Sequence, residues 1–328
     1  MITLVTRFAP SPTGRLHLGH AYSAVLAHDR ARGADGAGGR FLLRIEDIDG
    51  TRSRPEHVAA IEADLRWLGL AWDGPIVFQS ARLDRYAAAL ERLRGMGLLY
   101  PCFCTRAEIA ASLSAPHGVE AVYPGTCRGL SADARAARIA RGDRFAWRLD
   151  MAQAVGALPP TLAGREGNEG WVGPLSDAAL APHRPTPSPS LPGRGGITLH
   201  WHDDIAGTVR ADPFAHGDVI LARKDAPASY HLAVTVDDAA QGVTLVVRGV
   251  DLFAATHVHR LLQALLGLPT PRYHHHALLT GPDGARLAKR TGAPTLEALR
   301  LAGEDGLALA ETLRAGAGSG LGIAARNA

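Results

Sequence analysis

The sequence predicts an α/β protein with a doubly wound parallel sheet, and three stretches carry that expectation. At the front, Ile2, Leu4 and Val5 start a β-rich segment that runs into a Pro/Gly turn and then an apolar helix over residues 21–32, a strand, loop and helix in succession. Residues 40–45 read as a buried strand that ends in Glu46-Asp47-Ile48-Asp49. Carboxylates in that position stand at the carboxyl edge of a parallel sheet, where doubly wound folds bind their ligands. Residues 242–247 are β-branched enough for a central strand and lead into Arg248, whose fork at such an edge can pair bidentately with a carboxylate.

The first helix has a chemical front end. His17-Leu18-Gly19-His20 brings two imidazoles to a helix N-terminus, whose unpaired N–H groups and positive dipole end suit phosphate. His17 and His20 add hydrogen bonds to phosphate oxygens, and Gly19 lets a flat ligand lie close to the backbone. After the glycine-rich turn 33–39 and the strand 40–45, residues 55–68 and 81–96 read as amphipathic helices with Trp67 and Leu68, or Leu90 and Leu93, on the buried stripe. Gly69 and Gly97 follow as stops. Residues 131–151 give a helix and a strand over 144–149, and residues 158–196 are Pro/Gly/Ser-rich with almost no periodicity, a composition that reads as an inserted mobile loop. Order resumes with strand-like stretches at 207–211 and 218–222, a helix completed by 234–238, and a second helix over 257–266. The run His274-His275-His276 points its rings in different directions on either a strand or a helix, which argues against a metal site made of these three alone.

At 328 residues, 46% hydrophobic and 20% charged, the chain suits roughly two domains of a soluble globular protein. The apolar start is interrupted by Arg7 and lacks a basic lead-in, and no run of about 18 apolar residues suggests a membrane span, so a cytoplasmic location is expected. A net charge of +3 is too small to argue for a polyanionic partner by itself. The only lysines are Lys224 and Lys289 in a chain otherwise rich in arginine. A lysine is a compact point charge on a flexible stem where arginine is a flat fork.

All three cysteines, Cys102, Cys104 and Cys127, fall in one short window. An odd count in such a chain argues for a metal or plain thiols rather than a disulfide framework. A tetrahedral zinc needs a fourth ligand, for which chemistry nominates His117, while Tyr123 in Tyr123-Pro124-Gly125-Thr126-Cys127 would be an unusual phenolate.

The stretch Arg7-Phe8-Ala9-Pro10-Ser11-Pro12-Thr13-Gly14, followed by His17-Leu18-Gly19-His20, resembles the ATP-binding signature of class I aminoacyl-tRNA synthetases and, in its lead-in, their glutamyl branch. Arg44-Ile45-Glu46-Asp47-Ile48-Asp49 matches the same branch, and Arg286-Leu287-Ala288-Lys289-Arg290 resembles the second class I signature, with Arg286 for the usual lysine and Ala288 for the usual small or hydroxyl residue. Arg286 keeps a positive charge, whereas Ala288 removes a hydroxyl. The resemblance covers about residues 2–155 and 205–292, and Arg248-Gly249-Val250-Asp251-Leu252 together with the Cys-x-Cys, Tyr-x-x-x-Cys pattern is closer to the short glutamyl-queuosine synthetases than to full glutamyl enzymes.

The resemblance implies a Rossmann-type class I synthetase catalytic domain with an inserted, zinc-containing, acceptor-binding-like subdomain. It divides the chain into 1–98, the first half of the catalytic domain; 99–222, the insertion with its disordered loop at about 158–200; 223–280, the second half; and 281–328, the signature loop and a short tail. His17, His20 and Lys289 are implied as catalytic, and His17, Gly19, His20 and Lys289 as the ATP site. Arg7, Phe8, Ala9, Pro10, Ser11, Glu46, Tyr230 and Arg248 are implied to hold L-glutamate, with Glu46 on the ammonium group. Cys102, Cys104, Tyr123 and Cys127 are implied to hold one Zn2+. The implied partners are ATP with Mg2+, L-glutamate and queuosine-bearing tRNA(Asp), with no membrane and a monomeric state. Thirty-nine residues after Lys289 are too few for the helical anticodon-binding domain of a full glutamyl enzyme.

Overall fold

The computed structural model describes residues 3–33, 38–105, 107–109, 122–158, 198–280 and 294–315. Two sheets meet at the centre, one parallel and one mixed. One runs β1 (Val5–Phe8), β2 (Arg40–Ile45), β3 (Val77–Phe78), with Val5 opposite Arg40 and Phe8 opposite Leu43. The other is ordered β7 (Gly207–Arg210), β6 (His200–Asp203), β10 (Arg272–His276), β9 (Leu245–Gly249), with β10 parallel to β9 and β6, and β7 antiparallel at the edge. They abut where the Thr244 N–H donates to the Val5 carbonyl at 2.9 Å.

Alternation along the strands sorts residues to two faces. Phe41, Leu43 and Ile45 of β2 pack in the core beneath α1 (Leu18–Arg32), whose Ala21, Ala24, Val25 and Ala27 are fully enclosed. These small side chains let the helix lie close to the sheet, and the Thr6 hydroxyl donates to the Ala27 carbonyl at 2.7 Å. The opposite face of β2 carries Leu42 and Arg44. A second core gathers α3 (Leu83–Gly95), the helix Tyr230–Ala240 and the helix Ala255–Leu266 around Tyr86, Leu93, Leu232 and Leu261. With α1 on one face of the parallel strands and Arg44 reaching Asp238 of the helix Tyr230–Ala240 from the other, the fold is the doubly wound α/β class expected.

Strand β2 has the limits read from sequence, while α1 starts three residues earlier than expected, at Leu18, because His17 caps it. The helix α2 (Pro55–Trp67) begins at its proline, and Gly69 and Gly97 take positive φ of 73° and 75° just beyond their helices, the backbone region glycine enters most easily. A separate antiparallel sheet, β4 (Leu99–Cys102), β5 (Ala146–Leu149), β8 (Ile220–Ala222), lies in the expected insertion. Strands β6 and β7 fall within the 99–222 span assigned to that insertion but join the main sheet instead, since Trp201 and Asp203 alternate inward beside β10. Sequence reading did not foresee the helices Leu296–Leu301 and Gly306–Ala315, whose Leu296, Ala310 and Leu313 complete the core under α1. Among the described residues no helix is long and apolar enough to cross a membrane. Most of the 158–196 run, His117 and the 286–292 signature lie outside the described residues.

Candidate active site

A cavity of about 660 Å³ opens at the carboxyl edge of β1, β2 and β9. Arg7, Phe8, Ala9, Pro10, Ser11, His17, Gly19, His20, Glu46, Tyr230 and Arg248 all line it, so every described residue singled out for ATP or glutamate shares one space.

The histidines hold the helix end in an unexpected way. His17 Nδ1 accepts the Gly19 N–H at 3.1 Å, and His20 Nδ1 accepts the His17 N–H at 3.2 Å, a reciprocal capping box made of imidazoles. The rings lie 3.8 Å apart. Two backbone donors expected to await a ligand are therefore already satisfied. With Nδ1 accepting, the proton of each neutral ring sits on Nε2. The loop before the helix is tied down by the Glu46 N–H, which donates to the Pro10 carbonyl at 3.1 Å.

Beneath the cavity lies a buried charge network. Arg7 Nε donates to Asp238 at 3.0 Å, and the fully enclosed Arg44 donates to the same carboxylate at 2.8 Å. Asp237, also fully enclosed, accepts from Gln79 at 2.9 Å, Arg82 at 2.6 Å and Tyr86 at 2.7 Å. Burial pushes the Tyr86 phenol up, and the adjacent Asp237 adds to the rise. Burial likewise pushes Glu46 up to about 7, against the downward pull of Arg44 and Arg7.

Arg248 is 5% exposed and every described partner it has is uncharged. Its Nε donates to His275 Nε2 at 3.0 Å, Nη1 to the Tyr230 hydroxyl at 3.1 Å and to His259 Nδ1 at 3.4 Å, and Nη2 to Thr256 at 2.7 Å. His259 passes the chain on to His231 at 3.2 Å. Burial, followed by the charge of Arg248, pushes His275 down to about 4, and burial holds His231 at about 4. Sequence reading missed His275, His259, Thr256 and the Asp237-Asp238 pair. The three adjacent histidines were the visible signal, but β10 sends them to separate partners: His274 to Arg30, His275 to Arg248, and His276 to Ser23 at 2.8 Å.

A second cavity of about 490 Å³ shares Ser11, Glu46 and Tyr230 with the first and continues to Arg148, His216, His231 and Tyr123. Tyr123 belongs to the cysteine cluster. The sulfurs of Cys102, Cys104 and Cys127 lie within 4.8 Å of one another and could hold a metal ion. The Tyr123 hydroxyl is 3.4 Å from Cys102 Sγ and 3.5 Å from Cys104 Sγ, Cys104 and Cys127 are 3.5 Å apart, and the Cys127 N–H donates to that hydroxyl at 2.9 Å. Burial pushes Cys104 up to about 11. Burial also works to raise Cys127, but the Phe103 N–H and the Tyr123 hydroxyl outweigh it and bring that thiol below its ordinary value. Lys224 donates to the Phe103 and Cys104 carbonyls at 2.7 and 3.0 Å, and its neighbour Arg223 pairs with Asp49 at 3.4 Å.

Comparison with known proteins agrees with this geometry. The family model for tRNA synthetases class I (E and Q), catalytic domain, matches residues 3–155 and 194–318. The glutamyl-Q tRNA(Asp) synthetase of Rhodobacter capsulatus is 45% identical over 308 residues, covering 92% of this chain and 96% of that protein. The protein of the same name from Symbiobacterium thermophilum is 45% identical over 92% of this chain and 82% of its own. A crystal structure of glutamate-tRNA synthetase from Elizabethkingia anophelis superposes with a TM-score of 0.66 at 25% identity, covering 89% of this chain but 53% of that one, so the chain spans about half the length of this solved relative. A capped HLGH helix, an acidic strand end and a buried arginine around one cavity, in a sequence that the family model matches across both halves of the sheet, together establish that this chain belongs to the class I tRNA synthetases of the E and Q branch.

Proposed function

We propose that the chain activates L-glutamate with ATP and transfers it to the queuosine of tRNA(Asp). The observation that carries this reading is the single cavity that joins Arg7, Glu46, Tyr230 and Arg248 to His17 and His20, in a chain 45% identical to proteins named for that activity. The glutamate carboxylate attacks the α-phosphate of ATP and pyrophosphate leaves, chemistry in which a protein chiefly positions and neutralises charge. The Nε2–H groups of His17 and His20 donate to phosphate oxygens, and Mg2+ accompanies the nucleotide. Arg248, which has no carboxylate partner among the described residues, receives the side-chain carboxylate of glutamate. Arg7, already matched by Asp238, orients the α-carboxylate end, and Glu46 takes the ammonium group. The second cavity, sharing the Glu46 and Tyr230 wall, admits the accepting nucleoside.

The test is a charging assay with labelled glutamate and queuosine-containing tRNA(Asp). Label should resist removal of the 3′ end and require queuosine; label on the terminal adenosine instead would make the protein an ordinary glutamyl-tRNA synthetase.

Lys289 follows the triphosphate as pyrophosphate forms, a task for a point charge on a flexible stem. Lys289→Ala should lower kcat for ATP–pyrophosphate exchange by about 10²–10³-fold while leaving the KM for glutamate within about threefold. Equal turnover in the variant would refute the role.

The protonation of Glu46 gives a second check. Its folded value of about 7 lies above its ordinary 4.5, so the stability linked to this proton is complete below the ordinary value and is lost as pH rises through 7. A bound ammonium group favours the anion, and glutamate binding near pH 7 should therefore expel about half a proton. Binding enthalpies measured in buffers of different ionisation heat should show that release in the wild type and none in Glu46→Gln; a wild-type slope of zero would count against the assignment.

Zinc fits the cysteine cluster. A tetrahedral zinc with bonds of about 2.3 Å to sulfur and about 2.0 Å to oxygen spaces its ligands about 3.8 Å apart for two sulfurs and about 3.5 Å for sulfur and oxygen. The 3.5 Å between Cys104 and Cys127 and the 3.4 and 3.5 Å from Tyr123 to Cys102 and Cys104 sit near those values. Cys102, Cys104, Cys127 and Tyr123 would hold it, and it would supply folding energy to the insertion rather than chemistry.

A further inference from the structure

Arg7 and Arg44 each contact a carboxylate directly, Asp238 in both cases. Arg248 contacts none among the described residues, yet a buried carboxylate, Asp203, stands just beyond His275. His275 is 3% exposed and Asp203 1%. Because Arg248 can only donate, Nε2 of His275 must accept from it at 3.0 Å, and the ring proton lies on Nδ1, 2.7 Å from Asp203 Oδ2. The carboxylate is itself pinned by the N–H groups of Ile205 and Ala206, both at 2.9 Å to Oδ1.

We propose that His275 is a positioning and specificity residue for the glutamate side-chain carboxylate: it fixes the Arg248 fork through one nitrogen and, by standing as a neutral spacer, keeps Asp203 from neutralising it. The proposal rests on Arg248 as the receiver of that carboxylate. A direct Arg248 to Asp203 pair would satisfy the guanidinium internally, and the substrate would have to displace a buried ion pair to bind. With an imidazole between them the charge stays uncompensated but held in place, so a dicarboxylic amino acid gains what glutamine cannot. The neutral ring is self-consistent, since Arg248 and burial both oppose its protonation.

Two substitutions separate the ring's two contacts. The amide nitrogen of His275→Asn stands near the position of Nδ1 and can keep the bond to Asp203, but nothing reaches Arg248. The amide of His275→Gln reaches as far as Nε2 and restores an acceptor for Arg248. In ATP–pyrophosphate exchange, His275→Asn should raise the KM for glutamate about tenfold with kcat and the KM for ATP within about twofold, the loss expected for one hydrogen bond to a charged group. His275→Gln should return it to within about threefold of wild type. A glutamate KM unchanged in His275→Asn while Arg248→Ala raises it, or equal loss in both histidine variants, overturns the positioning role. An unchanged KM in Arg248→Ala overturns the assignment of the glutamate pocket itself, and the proposal with it.

Discussion

Replacing Arg248 with alanine should raise the glutamate concentration that half-saturates ATP–pyrophosphate exchange by at least about a hundredfold, equivalent to roughly 3 kcal/mol of charge-assisted hydrogen bonding. The KM for ATP should stay within about twofold, because His17, Gly19 and His20, the residues proposed for the nucleotide, stand at the start of α1, away from the strand that carries Arg248. Lysine should not rescue the loss. The fork of Arg248 satisfies His275, Tyr230, His259 and Thr256 at once, and a single ammonium with three donors cannot reach four partners spread around a plane and still grip a carboxylate. A glutamate KM within threefold of wild type in Arg248→Ala would exclude this residue from the pocket.

The second large effect concerns folding. Asp237→Ala strands Gln79, Arg82 and Tyr86 as unmatched donors and removes one of the anions beside the fully enclosed Arg44. Breaking a buried charge network by deleting one partner costs about 3–5 kcal/mol, which in a chain of this size corresponds to a fall of roughly 6–15 °C in Tm. Tyr86→Phe removes a single hydrogen bond from the same carboxylate and should cost only about 1–2 kcal/mol. Scanning calorimetry distinguishes them, and equal midpoints for the two variants would mean that Asp237 is not the hub.

The contrast between these sites explains what could be read from sequence. Fold class and cavity were legible because their determinants are local: an apolar strand, a turn, an apolar helix with histidines at its front and a carboxylate at a strand end each announce themselves within a dozen residues. The HLGH and RIED stretches fell on one cavity for that reason. The supporting layer was illegible because it is assembled across the chain. His275 meets Asp203 across 72 positions and Arg248 across 27, and Arg44 meets Asp238 across 194. Nothing in the neighbourhood of Asp237 and Asp238 distinguishes two helical aspartates facing water from two buried beneath a sheet. The terminal helices went unread for a related reason: Leu296, Ala310 and Leu313 acquire their burial only from α1 at the other end of the sequence.

The lysine that bridges two carbonyls of the cysteine loop has a mechanical consequence. Lys224 grips Phe103 and Cys104 while the adjoining Arg223 holds Asp49 on the rim of the second cavity. Two neighbouring side chains thus tie the cysteine loop to the Asp49 rim through a linkage barely two residues long, so the loop and that wall of the second cavity are braced against each other.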